Sequence, residues 1–451
     1  MNRTYITGLL FLMCLGGTVY RSHASSCDPC ARIGNGEETL CGPCDFADSL
    51  SCGPCDSIFS HRSRADRTKQ FMSRIKVSGW IQAGIMGNEY GNQNAYDPDV
   101  PNAPADRNKN ACSGNSYLLG TEHASDFKLD QIWLSVTREM DAKHGLDWGF
   151  QFDMAYGTDA KYAQSFGDQS FDYGWGDGDY YAAIVQMYAE VGYKRLTARV
   201  GKFGANMVHE PLAANYTFFY SNAYACYSSI LTLCGATLEY APTDKLTLLG
   251  GWTPGYHSTF ENKFEDNAFY MQATYRPTKR TSIRYSLYSG TSNGLNRRED
   301  ALDFQRNFLT EEVLAQAIVF SWALNDRWSY MIEGHWSSYD YDHQATATTH
   351  TFANGINQHL IYTISPKWAL GLRAEWLKAK GTMFDAEPFT GAEGTDIYEV
   401  TLGANWNPRP WLNIRPELRY DWTDYTNGFG PFDNATRQNQ LSGGVAMLVR
   451  F

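Results

Sequence analysis

The chain ends in LSGGVAMLVRF, from Leu441 to Phe451, and this stretch decides the fold. One parity of the stretch is apolar and holds Leu441, Val445, Met447, Val449 and Phe451. The other parity is mostly small or polar and holds Gln440, Ser442, Gly444 and Arg450. Because successive side chains of a strand point to opposite faces, the pattern predicts a strand with one apolar face.

Fifteen earlier segments repeat the period of two. The full set spans 75–87, 127–138, 145–157, 182–193, 195–204, 231–240, 245–253, 267–276, 280–290, 312–323, 326–336, 355–365, 367–378, 397–407, 410–422 and 439–451. Every second connection is short and made of turn residues, as in Ala241-Pro242-Thr243-Asp244, whereas the others are long. Such sorting by length is typical of outer-membrane barrels, which have short periplasmic turns, long external loops and an even strand number.

The sequence therefore predicts an all-β fold, a transmembrane antiparallel β-barrel of about sixteen strands that is integral to a bacterial outer membrane. Both termini would lie in the periplasm. A closing strand that stops on an aromatic residue is also typical of such barrels, so we expect Phe451 to belong to the signal read by the barrel assembly machinery. The other expected contact is with outer-membrane lipids.

The composition agrees with a barrel. Of 451 residues, 15% are aromatic, only 19% are charged, and 40 are glycine, which favours strands and tight turns over long helices. The formal net charge of -11 includes the loops and gives no reason to expect a nucleic-acid partner.

The first residues predict export. Asn2 and Arg3 precede an apolar run, and Ser22-His23-Ala24 offers small residues for cleavage, so residues 1–24 read as a signal peptide. Residues 25–74 read as a periplasmic, cysteine-rich segment, and residues 75–451 as the barrel.

Three CxxC pairs mark the cysteine-rich segment: Cys27 and Cys30, Cys41 and Cys44, Cys52 and Cys55. Disulfides or an inert tail are expected in an exported chain, with a zinc site or redox exchange as the alternatives. No other cofactor is expected. Cys112, Cys226 and Cys234 stand apart, and Cys226 could pair with either of the other two.

Four stretches carry a family resemblance. They are Asp147 to Asp159, Gln186 to Val191, Val200-Gly201-Lys202-Phe203 and Phe218-Phe219-Tyr220-Ser221. They resemble the outer-membrane β-barrel porin-2 family, also described as OmpL-like, over roughly Val77 to Phe451. The resemblance implies a porin-like barrel and gives no firm substrate.

The inward parity of the strands predicts the residues that line the pore. Its acids are Asp147, Asp153, Glu190, Glu239, Glu333, Glu375, Glu399, Glu417 and Asp421, and its arginines are Arg199, Arg284, Arg373, Arg415 and Arg419. Because carboxylate rings favour cations and arginine rings favour anions, the excess of acids predicts a mild cation preference. The alternative is a wall of ion pairs between neighbouring strands.

The third external loop, residues 206–229, holds the position that forms the constriction in general porins. Its candidate lining residues are His209, Glu210, Asn215, Tyr216 and Tyr220. A constriction of mainly neutral polar groups would favour uncharged hydrophilic solutes. The alternative is a surface loop that never enters the lumen.

The predicted function is an outer-membrane porin for passive diffusion of small hydrophilic solutes, with a homotrimer expected by analogy with general porins. The rival is a structural or adhesive barrel whose lumen is blocked by loops 87–126 and 206–229. An enzyme is not expected. His335, His343, His350 and His359 lie near Ser337 and Ser338, but no G-x-S-x-G motif occurs and neighbours in sequence do not make a catalytic pair.

Overall fold

The computed structural model describes residues 74–91, 115, 124–165, 171–255, 258, 260, 267–291, 308–343, 348–380, 394–424, 432–433 and 437–451. The chain divides into two units, Met1–His61 and Arg62–Phe451, and every described residue belongs to the second. The predicted signal peptide and the six CxxC cysteines therefore lie outside the described residues.

Seventeen strands form one sheet in the described part of the chain. Their bounds are β1 Ile75–Asn88, β2 Phe127–Arg138, β3 Leu146–Gly157, β4 Gly176–Asp177, β5 Tyr180–Tyr193, β6 Leu196–Gly204, β7 Thr232–Tyr240, β8 Leu246–Thr253, β9 Ala268–Thr278, β10 Thr281–Thr291, β11 Phe308–Ala323, β12 Trp328–His343, β13 Thr348–Ser365, β14 Trp368–Lys380, β15 Thr395–Arg409, β16 Leu412–Thr423 and β17 Asn439–Arg450. β4 is a short ribbon that pairs only with β5, and the other sixteen pair antiparallel around a ring.

The ring closes between the first and last strands. β1 pairs with β17 from Trp80 opposite Arg450 to Asn88 opposite Ser442, and β1 also pairs with β2. A closed sixteen-strand antiparallel barrel is therefore present, and all sixteen predicted segments correspond to its strands. Closure leaves no strand edge exposed to the bilayer.

Three strands extend by four or more residues beyond their predicted ends. β11 begins at Phe308, β12 continues to His343, and β13 begins at Thr348, so the connection predicted to be long at 337–354 shrinks to 344–347. The extra residues include the Ser337-Ser338-Tyr339-Asp340 run, which has no apolar parity. Strand residues that project past the bilayer do not face lipid, and the alternation that reveals a spanning strand is absent there.

The barrel wall has an apolar outer face. On β3 the side chains of Leu146, Trp148 and Tyr156 are exposed to the outside, while Asp153 of the opposite parity is buried. β17 follows the same rule, since Leu441, Val445 and Met447 are exposed and Leu448 is buried. The exposed rings and aliphatic groups form the band expected to contact lipid.

The few helical segments are short. They are the turns Asp159–Ala163, Ala214–Tyr216 and Tyr224–Tyr227, all of which lie in connections between strands. In the part of the chain that the structure describes, no helix is both long enough and apolar enough to cross a membrane.

Candidate functional site

The third external loop, residues 205–231 between β6 and β7, lies inside the barrel. Its residues Phe219, Tyr224 and Cys226 are fully buried, although the loop joins two strands at an open end. Contacts with inward-facing side chains of many strands hold it there. The sequence allowed either a loop inside the lumen or a loop on the surface, and the structure places this loop inside the lumen.

Two wall carboxylates hold the loop by its backbone. Glu417 of β16 accepts hydrogen bonds from the amides of residues 220–221 at 2.8 and 3.2 Å. Glu375 of β14 accepts from the amides of residues 224–225 at 2.6 and 2.8 Å. Buried amides need such partners, and a charged acceptor makes a stronger bond than a neutral one. The carboxylates thus compensate for the ladder bonds that this loop lacks.

Wall arginines complement the carboxylates by donating to loop carbonyl groups. The bonds run from Arg373 to Ser221 at 2.7 Å, from Arg419 to Asn222 at 2.9 Å, from Arg415 to Ala214 at 2.9 Å and from Arg284 to Val208 at 2.5 Å. Both kinds of backbone group therefore find charged partners on the wall. We expect a loop held at so many points to be rigid.

Several predicted pore-lining charges pair with one another. Arg373 donates to Glu399 at 2.6 Å, and Arg419 lies 2.8 Å from Asp421, all four being buried. Arg199 and Glu190 form a half-buried pair at 2.9 Å. Tyr224 of the loop also donates to Asp421 through its hydroxyl group. These contacts correspond to the alternative in which the wall charges form ion pairs across strands.

The remaining predicted acids have different surroundings. Asp147 contacts Arg74 at 3.0 Å and Arg138 at 3.1 Å near a short turn. Asp153 accepts bonds from the side chains of Gln151 and Gln186. Glu239 is half-buried on the lumen parity and has no ion pair with any residue the structure describes. The structure thus places the predicted lining residues on the inner wall but brings many of them under the loop rather than against open space.

Glu333 completes the set of acids and lies beside a histidine. It accepts a hydrogen bond from the amide of His209, and its second oxygen is 3.8 Å from His335 Nδ1. His335 Nε2 is in turn 3.2 Å from Ser228 Oγ, and Glu333, His335 and Ser228 are all buried. The serine comes from the third loop, so the candidates Ser337 and Ser338 are not the partners of this imidazole. Because the group is buried, we interpret it as packing between loop and wall.

The described parts of the second external loop, residues 158–165 and 171–179, also fold inward, which the sequence did not predict. Lys202 of β6 donates to the carbonyl oxygen of Ala163 at 2.7 Å and lies 3.5 Å from Asp172. Asp172 accepts from the amides of Ser165 and Ile184, each at 2.8 Å. The buried lysine and aspartate fasten this loop against the wall.

One glutamine joins the two loops. The side-chain amide of Gln131 donates to Asp159 of the second loop and to the carbonyl oxygen of Leu212 of the third, both at 2.7 Å. The rings of Tyr162 and Tyr227 meet edge to face with centroids 4.9 Å apart. The two loops therefore form one packed body within the barrel.

Below the third loop lies a cavity of about 730 Å³. Its lining includes Ser78, Trp80, Trp133, Ser135, Gln151, Asp153, Gln186, Tyr188, Asn206, His209, Glu210, Asn215, Tyr216, Arg284 and Arg450. Ser78 and Arg450 lie near the strand ends that carry the short turns, so the cavity is on the periplasmic side of the loop.

The five candidate constriction residues take different positions. Tyr216 is 71% exposed and His209 is exposed, whereas Glu210 and Tyr220 are buried. Asn215 accepts a hydrogen bond from Arg450 at 2.5 Å. His209, Glu210, Asn215 and Tyr216 border the cavity and Tyr220 does not.

The cysteines of the described region are not bridged. Cys226 and Cys234 are both buried and free, so the predicted alternative of a Cys226–Cys234 disulfide is wrong. Burial raises the pKa of the Cys226 thiol well above its ordinary value, which keeps it protonated. Cys112 lies outside the described residues. Within those residues, no three His, Cys, Asp or Glu side chains are grouped to hold a metal ion.

The closed barrel and its apolar outer wall together identify the class of protein, which is an integral outer-membrane β-barrel of the porin type. The chain belongs to the β-barrel porin-2, OmpL-like family, whose model matches residues 74–451. Among curated protein sequences, none matches the chain.

Three solved structures share the fold. The anion-selective porin from Comamonas acidovorans has a TM-score of 0.54 and 10% identity, over 84% of this chain and 99% of that one. The outer-membrane channel DcaP of Acinetobacter baumannii has a TM-score of 0.52 and 10% identity, over 84% and 97%. OprB of Pseudomonas putida has a TM-score of 0.51 and 14% identity, over 85% and 96%. At these identities the likeness shows the fold alone.

Proposed function

We propose that the chain is a restrictive porin, which lets small hydrophilic solutes diffuse passively across the outer membrane. The observation that carries the proposal is the third loop, which is fastened inside a sixteen-strand barrel above a cavity of about 730 Å³. A barrel of this strand number is wide enough for an aqueous channel. The loop would narrow that channel to a size filter.

The contacts support uncharged solutes better than cations. The cation preference was predicted from nine inward carboxylates, but Glu375 and Glu417 are bonded to loop amides and Glu399 is paired with Arg373. A carboxylate that is buried and bonded in this way attracts a passing cation less than a free one. The preference for cations stays a prediction, which a reversal-potential measurement would decide.

Solute uptake into vesicles tests the porin itself. Proteoliposomes holding the purified, folded protein should swell in a pentose or a hexose and respond progressively less as neutral sugars become larger. Liposomes without protein are the control. Vesicles that stay osmotically tight even to the smallest sugar would refute the proposal.

The rival function, a structural or adhesive barrel, was predicted from loops 87–126 and 206–229, and most of loop 87–126 lies outside the described residues. One observation on the other loops favours the rival. Both the second and the third loop enter the lumen, and Ala163 and Tyr224 belong to one buried cluster between them. Should these loops fill the lumen completely, the vesicles would stay tight while the protein remains folded. The swelling measurement therefore separates the two functions.

We also propose that the barrel assembles as a homotrimer, as general porins do. The support is analogy of architecture, since both are sixteen-strand barrels. Light scattering of the detergent-solubilised protein should give three times the mass of one chain, and the mass of a monomer would contradict the assembly.

A further inference from the structure

The cavity below the third loop is bordered by a tyrosine whose ring is largely open to solvent. We propose that Tyr216 is a stacking platform for the pyranose ring of neutral sugars, with Asn215 and Arg450 donating hydrogen bonds to the sugar hydroxyl groups. This inference rests on the proposed function, because the sugar meets the platform as it passes through the channel. It names the class of hydrophilic solute that the porin prefers.

Tyr216 offers its ring to the cavity, whereas the neighbouring rings are covered. Its side chain is 71% exposed, but those of Trp80 and Trp133 are 5% and 3% exposed. Tyr188 also lines the cavity, but it is half-buried and the guanidinium group of Arg199 lies 4.3 Å from its ring centroid. Sites for small molecules combine flat apolar rings with a few polar groups. Tyr216 is therefore the ring on which a solute can stack.

The barrel wall holds this ring in place. Trp80 of β1 and Trp133 of β2 are cross-strand neighbours, and their rings stack with centroids 4.8 Å apart. The rings of Trp80 and Tyr216 meet edge to face with centroids 6.0 Å apart. The turn that carries Tyr216 is also anchored, because Gln131 accepts a hydrogen bond from the amide of Ala214 at 3.1 Å. A ring that is positioned before the solute arrives lowers the entropic cost of binding.

Two hydrogen-bonding side chains lie beside the platform. Arg450 of β17 is the cross-strand neighbour of Trp80, and its Nε group donates to Asn215 Oδ1 at 2.5 Å. Asn215 directly precedes Tyr216, so these contacts bring the guanidinium group, the amide and the ring together. The Nη groups of Arg450 and Nδ2 of Asn215 have no hydrogen bond with any residue that the structure describes. Both side chains are half-buried and keep donors for a solute.

The charges along the cavity favour a neutral solute over an ion. The lining contains two carboxylates, Asp153 and Glu210, and two guanidinium groups, Arg284 and Arg450. Because the two signs are equal in number, the lining attracts neither cations nor anions consistently. A sugar has an apolar C–H face for the ring and hydroxyl groups for the arginine and the amide. The cavity of about 730 Å³ has room for it, since sites for small molecules span roughly 300–1,000 Å³.

The test is block of the open channel in planar bilayers by maltotriose, a neutral sugar of three pyranose rings. It is added to both sides, so that it reaches the cavity without having to cross the third loop. Polyethylene glycol of similar size, which has no ring, is the comparison solute. We expect maltotriose to block wild type at a lower concentration than the polymer does. In Tyr216→Ala the half-blocking concentration of maltotriose should rise about two- to tenfold, the loss expected for one ring contact, while that of the polymer stays unchanged.

Further variants separate stacking from bulk and from hydrogen bonding. Tyr216→Trp should keep the wild-type block because it keeps a flat ring, whereas Tyr216→Leu should lose it as Tyr216→Ala does. Asn215→Ala should also raise the half-blocking concentration, because one donor to the hydroxyl groups is lost. Tyr240→Ala removes a tyrosine that is 49% exposed on the outer face of the barrel, and this matched control should behave as wild type.

Three results would overturn the sugar platform alone: equal maltotriose block of wild type and Tyr216→Ala, wild-type block by maltotriose no stronger than by the polymer, or a change in Tyr216→Ala that is the same for both solutes. An unchanged maltotriose block in Asn215→Ala would overturn the hydrogen-bonding role of that amide. Folded protein that never conducts would overturn the porin, and the platform with it.

Discussion

At the scale of single residues, the third loop depends on a few wall carboxylates. Glu375 accepts two buried amide bonds from residues 224–225, and its loss leaves both amides without an acceptor. An unsatisfied buried donor costs about 1–3 kcal/mol. We therefore expect Glu375→Ala to loosen the loop and to give larger, noisier single-channel steps.

The matched control for that variant is Glu239→Ala. Glu239 shares the lumen parity but has no ion pair with a described residue, so its removal should leave step size and noise unchanged. Equal conductance of the Glu375 variant and wild type would show that the loop is held without this carboxylate.

The terminal residue makes a contact of its own. Phe451 and Gly79 exchange backbone hydrogen bonds of 3.0 Å, and the ring of Phe451 lies over Gly79. A Cβ at position 79 would be 2.6 Å from Phe451 Cζ, so only glycine leaves room for the ring. The ring remains 60% exposed on the outer surface. Its side chain is therefore available to a partner during assembly.

We predict that Phe451→Ala lowers the amount of protein in the outer membrane, measured by immunoblot of membrane fractions. Phe269→Ala is the comparison, because Phe269 is also a lipid-facing phenylalanine with 60% exposure. Equal membrane levels for the two variants would show that Phe451 is an ordinary lipid-facing residue and not a signal.

At the scale of elements, Lys202 fastens the second external loop to β6. Breaking a buried ion pair by removing one partner costs about 3–5 kcal/mol. We expect Lys202→Met to release residues 158–165, so that their amides exchange with solvent much faster in a hydrogen-exchange measurement. Lys245→Met, at an exposed turn, should leave this exchange as it is in wild type. Unchanged protection in the Lys202 variant would mean that packing alone holds the loop.

The contact between Lys202 and this loop is a feature that the sequence did not predict. Lys202 follows the outward-facing Val200 by two residues, so period-two alternation places it on the lipid side. Gly201 adopts a φ of 137° and alters the alternation, and Lys202 is buried instead. A Cβ at Gly201 would be 2.3 Å from the carbonyl oxygen of Met187, which makes this close approach specific to glycine. Alternation alone does not reveal this local change of backbone conformation.

The strands were predictable because lipid imposes an apolar parity on every spanning segment. The full lengths of β12 and β13 were not, since their outer ends have left the lipid. The loop contacts could not be predicted either, because Glu375 and Glu417 lie far in sequence from the amides they bind. Counting the charged side chains on the inward parity identified residues of the barrel wall. It could not distinguish the side chains that are free from those that are bonded to a loop.

At the scale of the whole molecule, the proposed function assigns the passage to the barrel and the width of that passage to the loops. The wall closes through β1 and β17 independently of the third loop, whose residues form no part of the barrel ladder between Gly204 and Thr232. The central claim is therefore that one loop, held inside a wide barrel, restricts diffusion.

Single-channel conductance tests this claim most directly, with wild type compared to a variant in which a short glycine linker replaces residues 206–229. The account predicts small, uniform steps for wild type and steps several-fold larger for the variant. Folded wild-type protein that never opens a step, or a variant whose steps equal those of wild type, would contradict it.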